Sequence, residues 1–434
     1  MLIRFLLNSN RFKLNSEAIR FVRRAVLLTV GYSVIHWLTQ TFIVLYALQY
    51  LTWIELGIVL AVQIGIQIIL DYPTGTIGDW IGQRWVMVIT SIFYASFFFT
   101  FSLSRTFEAF FWAYIILGFA RAQESGALAA WYQNNYKLYA PEDEDRTIFS
   151  YLQGKWQTFS LSLQASAFVF GGFMINIYGR SILFFVQSIL FSIYLFLFTF
   201  FMFDHPELKR KELNLRDYYK LLGAGLKTAV NNTTLRWMIL GSIIFNIGVF
   251  IWVNFMLFPL YQDYGKTDDV IGSLRAIIFL TGVGVAWLSA IIAGRWRTQQ
   301  AKKVLAFTEA FTWPIFFLGI ILMLEIFPPQ ISFNIGLVFI LIVIMRVAGC
   351  TQFMQNILRS RFFLDIIPDE NRNSIFSLIP TLTLIATIPT NIFAGVLLDS
   401  LTRIEVVILL LVITLVGGMI SGFAVLRHSP DTVQ

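Results

Sequence analysis

The sequence is poor in the residues on which catalytic and metal chemistry usually depend. It holds one cysteine, Cys350, and three histidines in 434 residues, which rules out an intramolecular disulfide and supplies no metal cluster. It has no phosphate-binding glycine loop, so ATP is not the energy source within this chain. No spacing supports a nucleophile and base pair, and no polar stretch is long enough for a sizeable aqueous domain. The expectation is therefore a protein without cofactor, metal or enzymatic activity. Charge is scarce too, at 13% of residues, against 57% hydrophobic and 17% aromatic and a mean hydropathy of +0.71. Soluble globular chains do not have that composition.

What the chain has instead is long apolar runs. About twelve recur along it, near 25–50, 54–78, 85–104, 107–133, 150–177, 181–203, 235–261, 270–293, 303–325, 331–358, 373–399 and 403–426. Each is long enough to cross about 30 Å of hydrocarbon as a helix, and tilt absorbs the excess of the longer ones. The first run is too long for a cleaved leader. Basic residues set the orientation: with the N-terminus inside, most cations fall in cytoplasmic loops, and only Arg105, Arg180, Lys266 and Arg403 face out. Both termini are thus expected in the cytoplasm of a multi-pass protein of the cell membrane. The net charge of +7 reflects this topology, because the cations are scattered over many loops rather than gathered into a nucleic-acid surface.

One polar hinge stands out, Asp71-Tyr-Pro-Thr-Gly-Thr-Ile-Gly-Asp-Trp-Ile-Gly-Gln-Arg84, between the second and third runs. Gly75 and Gly78 permit close helix approach, Gly82 permits a turn, and Asp79 suits a helix start, where free N–H groups favour negative charge. Read as G-x-x-x-D-x-x-G-x-R, the residues Gly75, Asp79, Gly82 and Arg84 resemble the loop between the second and third helices of major facilitator superfamily transporters. Trp80 stands where the family has a basic residue. The resemblance implies that Asp79 latches the cytoplasmic side shut against the start of helix eleven, with Asp71 and Arg84 in the same gating loop. The matching loop of the second half, Ala293 to Lys303, keeps basic residues but no aspartate. The proline-containing glycine signature of many proton-driven drug antiporters is missing around Phe170-Gly171-Gly172-Phe173.

The chain also resembles itself. Pro141-Glu-Asp-Glu-Asp-Arg-Thr-Ile-Phe-Ser150 aligns without gaps on Pro368-Asp-Glu-Asn-Arg-Asn-Ser-Ile-Phe-Ser377, and Arg121 and Arg346 keep nearly the same register. A repeated six-helix unit is what facilitator-type transporters contain. The expected fold is an all-α membrane protein with twelve transmembrane helices in two pseudo-symmetric six-helix bundles. The expected segments are a cytoplasmic start at 1–24, bundles at 25–204 and 235–428, an amphipathic linker at 205–234 and a tail at 429–434. The first of these carries six basic residues and suits an interfacial helix. Asn231-Asn232-Thr233-Thr234 fits a glycosylation pattern but falls on the cytoplasmic side.

Charges inside apolar helices cost about 2.5–3.5 kcal/mol and mark functional candidates. Arg121 and Glu124 share one face of the fourth run and can pair. Glu124 can carry a coupling proton, burial opposing its charge and Arg121 favouring it. Arg346, with no acid within a helical turn, suits a substrate anion. Asp71 and Glu309 read as gate or snorkelling residues within reach of Lys302, and Arg275 as snorkelling. In the family the first, fourth, seventh and tenth spans line the cavity. On those spans stand His36, Gln40, Asn246, Asn254, Gln352 and Gln355, with Trp37, Tyr46 and Trp252.

The implied function is secondary active transport of a small amphipathic organic solute by alternating access, coupled to a proton or another ion, in a monomer embedded in the bilayer. A multidrug exporter and an organic-anion carrier both fit. A receptor or scaffold that keeps the fold without transporting is the alternative.

Overall fold

The computed structural model describes residues 14–124, 127–144, 147–208, 223, 226–296, 298–328, 335–367 and 372–428, with the backbone alone for 71–79, 147, 150, 154, 155, 157, 158, 283, 286, 287, 290, 294, 298, 335, 337, 338, 364, 365 and 372–377. Helix follows helix, and no strand occurs among the described residues. Hydrocarbon offers no partner for a free N–H or C=O, so a spanning segment must satisfy its backbone internally. The helices are α1 (Ser16–Trp37), α2 (Ile43–Ala47), α3 (Trp53–Ile81), α4 (Gln83–Leu103), α5 (Phe107–Glu124), α6 (Ala127–Tyr139), α7 (Thr147–Tyr178) and α8 (Arg180–Phe201). They continue as α9 (Thr233–Ile251), α10 (Leu257–Gly265), α11 (Asp268–Gly294), α12 (Thr298–Ile326), α13 (Ile335–Ile366), α14 (Arg372–Ser400) and α15 (Arg403–Arg427).

Among the described residues, nine helices are long and apolar enough to cross a membrane. Of the three other expected spans, the first and fourth fall on more charged or interrupted segments. The first run is broken after Trp37 and resumes only as the short α2. The fourth is described as α5 and α6, and α5 carries Arg121 and Glu124 in its last turn. The eighth is α11, 27 residues with Arg275 in its apolar stretch, and several of its side chains lie outside the described residues.

Local chemistry sets the helix ends. Asn15 caps α1, its side-chain oxygen accepting from Ala18 N at 2.7 Å, so residues 16–24 belong to a long helix rather than to a separate surface segment. Residues 1–13 of that segment and 209–222 of the linker lie outside the described residues. Asn232 caps α9 by accepting from Leu235 N at 3.1 Å, which gives the glycosylation-like run a structural role. Gly82 has φ 96° and Gly179 φ 85°. A side chain rarely tolerates either angle, so each glycine lets a one-residue joint separate two long helices.

The chain divides into two compact units, Met1–Tyr46 with Gly65–Leu215, and Ala47–Ile64 with Arg216–Gln434. In the first, α4 packs on α5 and α8 through an aromatic core. Tyr94 and Phe191 stack at 4.9 Å, Phe98 and Phe191 at 5.5 Å, and Phe101 and Phe184 meet edge-on at 4.9 Å. Such pairs contribute about 0.5–1.5 kcal/mol each beyond their burial. In the second, the start of α3 lies on α14: Ile54 N donates to Asp399 Oδ2 at 3.2 Å. At one end of that unit Leu235, Leu305, Leu358, Phe362 and Val425 form a buried core.

Between α9 and α10 the helix widens into a π turn at Trp252–Met256. Pro259 has no N–H to offer the carbonyl of Phe255, which accounts for the loosened ladder just before it.

Candidate functional site

The first unit builds a site around Glu124, the last residue of α5. Tyr32, on α1, donates to its Oε1 at 2.9 Å, and Tyr94, on α4, donates to its Oε2 at 2.5 Å. His36 Nδ1 stands 3.4 Å from Oε1 without hydrogen-bond geometry, and that nitrogen has no other partner. Rings hold these groups in place. Phe191 packs edge-on against Tyr32 at 5.7 Å, and His36 meets Tyr94 edge-on at 5.4 Å. Two helices therefore aim polar side chains at a carboxylate carried by a third.

That carboxylate is reachable. It lines a cavity of about 360 Å³ with Tyr32, Tyr132, Gln133, Gln153 and Trp156, and its side chain is 28% exposed. Among the described residues the wall is aromatic and amide-rich, with Glu124 as its charged member. Thr29, also in the wall, has a buried hydroxyl without a partner.

Arg121 does not pair with Glu124: among the described residues no ion pair joins them, and the Arg121 Nε is buried without a partner. Residues three apart on a helix can meet, but both carboxylate oxygens are already engaged by phenols from α1 and α4.

The other expected residues are spread through the structure. Gln40 lies in the turn between α1 and α2. Asn246 turns back to its own helix, donating to Ser242 O at 2.7 Å. Asn254 sits in the π turn. Gln352 accepts from Trp313 Nε1 at 2.5 Å and donates to Asn356 at 3.2 Å. The Arg346 guanidinium lies on the backbone of Gly282, where a Cβ would come within 2.8 Å of it, and its Nε is buried without a partner. Tyr46 and Trp252 are core residues, both almost fully buried. Gln355 is fully buried, and neither of its amide atoms finds a partner.

Two expectations are corrected in the second unit. Glu309 does not reach water or Lys302. It is 0% exposed and takes a two-pronged contact from Arg359, with Nε to Oε1 and Nη2 to Oε2 both at 2.6 Å. Arg275 does not snorkel; it is buried, with its guanidinium 4.8 Å from the Phe258 ring centre and 5.3 Å from that of Phe279.

The hinge is also rearranged. Helix α3 runs on to Ile81, so Asp79 lies in the last turn of a helix rather than at a helix start. Free carbonyls, not N–H groups, are found there. The side chains of Asp71, Gly75 and Asp79 lie outside the described residues, as does the second copy of the repeat over 368–371. Gly82 makes the turn into α4. Arg84 donates to Thr199 O at the end of α8, its guanidinium 5.2 Å from the Trp85 ring and 5.4 Å from that of Phe203. In the first copy of the repeat, buried Asp143 accepts from Ile148 N at 3.1 Å and from Phe149 N at 2.8 Å, capping α7.

Sequence reading missed Tyr32, Tyr94 and Arg359. Tyr32 precedes His36 by one helical turn, a spacing that marks a shared face. Tyr94 lies on a helix outside the expected lining set. Arg359 falls just past the tenth apolar run at 331–358, whereas α13 continues to Ile366. Among the described residues no group of three or more His, Cys, Asp or Glu side chains converges to hold a metal.

The sequence profile of the Major Facilitator Superfamily matches residues 25–379, and the chain belongs to that family. Similar solved structures include the nucleoside transporter NupG, 14% identical with a TM-score of 0.72, covering 94% of this chain and 100% of that one. A bacterial homologue of the human lysosomal transporter Spinster, inward-facing and unoccupied, is 10% identical with a TM-score of 0.69, covering 96% and 100%. An autoinhibited POT family peptide transporter is 9% identical with a TM-score of 0.72, covering 94% and 97%. At these identities the likeness is one of fold. No curated protein matches the sequence. Family and fold together make this a secondary transporter, an integral membrane protein that handles a small-molecule substrate.

Proposed function

We propose that this protein is a proton-coupled transporter of a small amphipathic organic solute, neutral or cationic, with Glu124 as the proton carrier. The observation that carries the reading is the coincidence of three things at Glu124: a carboxylate inside the helix bundle, an open cavity, and phenols from two other helices.

An ionised carboxylate only accepts hydrogen bonds, whereas a protonated one must also donate. Tyr32 and Tyr94 both donate to Glu124, an arrangement that suits the ionised form. Taking up a proton obliges one phenol to rotate or the new O–H to turn to His36 Nδ1, 3.4 Å away and otherwise unpartnered. Proton uptake is thereby linked to the positions of α1 and α4, which is the differential contact that alternating access requires. Tyr132 and Trp156 provide faces for stacking, and Gln133 and Gln153 provide amides for hydrogen bonding. With Glu124 as the charge in this wall, a neutral or cationic group is favoured over an anionic one. The nucleoside and peptide transporters of like fold carry solutes that combine polar and apolar parts, in keeping with this lining. The twelve-span topology, cytoplasmic termini, cell-membrane location and monomeric state belong to the same proposal.

Reconstituted protein tests it. One coupled proton across one pH unit is worth about 1.4 kcal/mol, or roughly tenfold accumulation. Wild type should accumulate solute to that extent, whereas Glu124→Gln should equilibrate it without accumulation. Accumulation by Glu124→Gln equal to wild type overturns the assignment. A protein that moves no solute in either form but binds it would be the non-transporting receptor.

A further inference from the structure

On the outer face of the second unit, α12 and α15 run antiparallel and touch. A Cβ on Gly422 would lie 2.7 Å from the carbonyl oxygen of Ala306, and one on Gly418 would lie 2.1 Å from that of Glu309. Ala306, Ala310 and Gly422 form the floor of an open groove of about 470 Å³ along this seam. Its walls are Phe307, Phe311, Met419 and Phe423, all with large exposed surfaces. The lining is apolar except at one end, where Lys303 stands.

The register brings a second cation to that end. Ala306 faces Gly422, so Lys303 and Arg427 come to the same side of the seam, and the Arg427 guanidinium lies 5.9 Å from the Phe423 ring centre. Neither cation has an ion-pair partner among the described residues. From Lys303 the groove extends to Phe311, eight residues or about 12 Å along the helix.

We propose that this groove holds an acyl chain of an anionic phospholipid, with Lys303 and Arg427 binding its headgroup phosphate. A slot that is apolar along its length and cationic at one end is complementary to an amphiphile with an anionic head. Small residues on the floor make it deep enough for a chain, and aromatic side chains make its walls. The inference is independent of the substrate and of proton coupling.

Native mass spectrometry of the detergent-purified protein, offered equal phosphatidylglycerol and phosphatidylcholine, tests it. Wild type should retain phosphatidylglycerol preferentially. Lys303→Gln and Arg427→Gln should each weaken that retention about fivefold, the effect of one basic residue near a lipid surface. Met419→Trp, which fills the groove at an exposed position, should reduce both lipids. Glycerol 3-phosphate, a head without a chain, should not bind. Equal retention of the two lipids by wild type, unchanged retention in the variants, or dimers of the chain in place of lipid adducts would each overturn the proposal. Unfolding temperatures in lipid-free detergent should match wild type for all three variants.

Discussion

Among the glutamates in the helices of this transporter, Glu124 and Glu309 have surroundings that could hardly differ more. Glu124 in the first unit is 28% exposed, faces a cavity, and is held by neutral phenols. Glu309 in the second unit is 0% exposed and gripped by the guanidinium of Arg359. A charge paired and sealed off cannot exchange a proton without breaking its pair, and breaking it leaves an uncompensated ion. A carboxylate bonded only to hydroxyl groups and open to a cavity can exchange one. Embedded charge is therefore a weak guide to chemistry until its partners are known.

The sharpest way to break this comparison is to remove Arg359. Arg359→Leu strands Glu309 in the core, and the expected loss is about 3–5 kcal/mol, read as a lowered unfolding temperature in detergent. The double change Glu309→Leu with Arg359→Leu should recover most of that loss, because a buried pair is often no more stabilising than apolar side chains of similar volume. If the single variant unfolds where wild type does, the pair is not what holds α12 to α13.

Glu124→Gln should show the opposite pattern, with uphill transport abolished and stability changed by less than about 1 kcal/mol, since the amide oxygen still accepts a hydrogen bond. Solute exchange across the membrane without a proton gradient should persist. A fall in unfolding temperature as large as that of Arg359→Leu would erase the distinction between the two carboxylates.

The sequence made one side of this contrast legible and hid the other. Glu124 could be singled out because an acid in an apolar run is conspicuous, and the hinge ending at Arg84 pointed to the family. The partners were invisible: Tyr32 and Tyr94 come from helices distant in the chain, and tyrosine in a membrane segment looks like packing. Spacing on one helix favoured Arg121 as Glu124's partner, but contacts between helices decided the matter. Arg359 was misread for a different reason. Hydropathy ends a span at the first charges, yet a charge with a partner lets the helix continue, as α13 does to Ile366.

Removing one phenol tests the site more finely. Tyr94→Phe deletes a donor to Glu124 and keeps the ring stacked on Phe191. A hydrogen bond to a charged group is worth about 1.5–3 kcal/mol, and losing this one loosens the hold of α4 on Glu124. The dependence of transport on pH should therefore change, with the solute's apparent affinity nearly unchanged. A profile identical to wild type would mean that the phenol packs and does not tune the proton site.

The smallest effect expected is that of Arg346→Ala. Its guanidinium lies on Gly282 and its Nε finds no partner, so little packing or bonding is lost with it. Thermal stability measured against panels of amphipathic cations, neutral solutes and anions reads binding by mass action, without any transport assay. A solute held by Tyr132, Trp156 and the two glutamines should stabilise Arg346→Ala as much as wild type, and any stabilisation by amphipathic anions, which suit the groove at Lys303, should be equal in the two. Stabilisation by anions in wild type that vanishes in Arg346→Ala would move substrate recognition to the second unit and make the protein an organic-anion carrier. Glu124 would then be a proton site without a share in choosing the substrate, and the comparison between the two carboxylates would concern energy coupling alone.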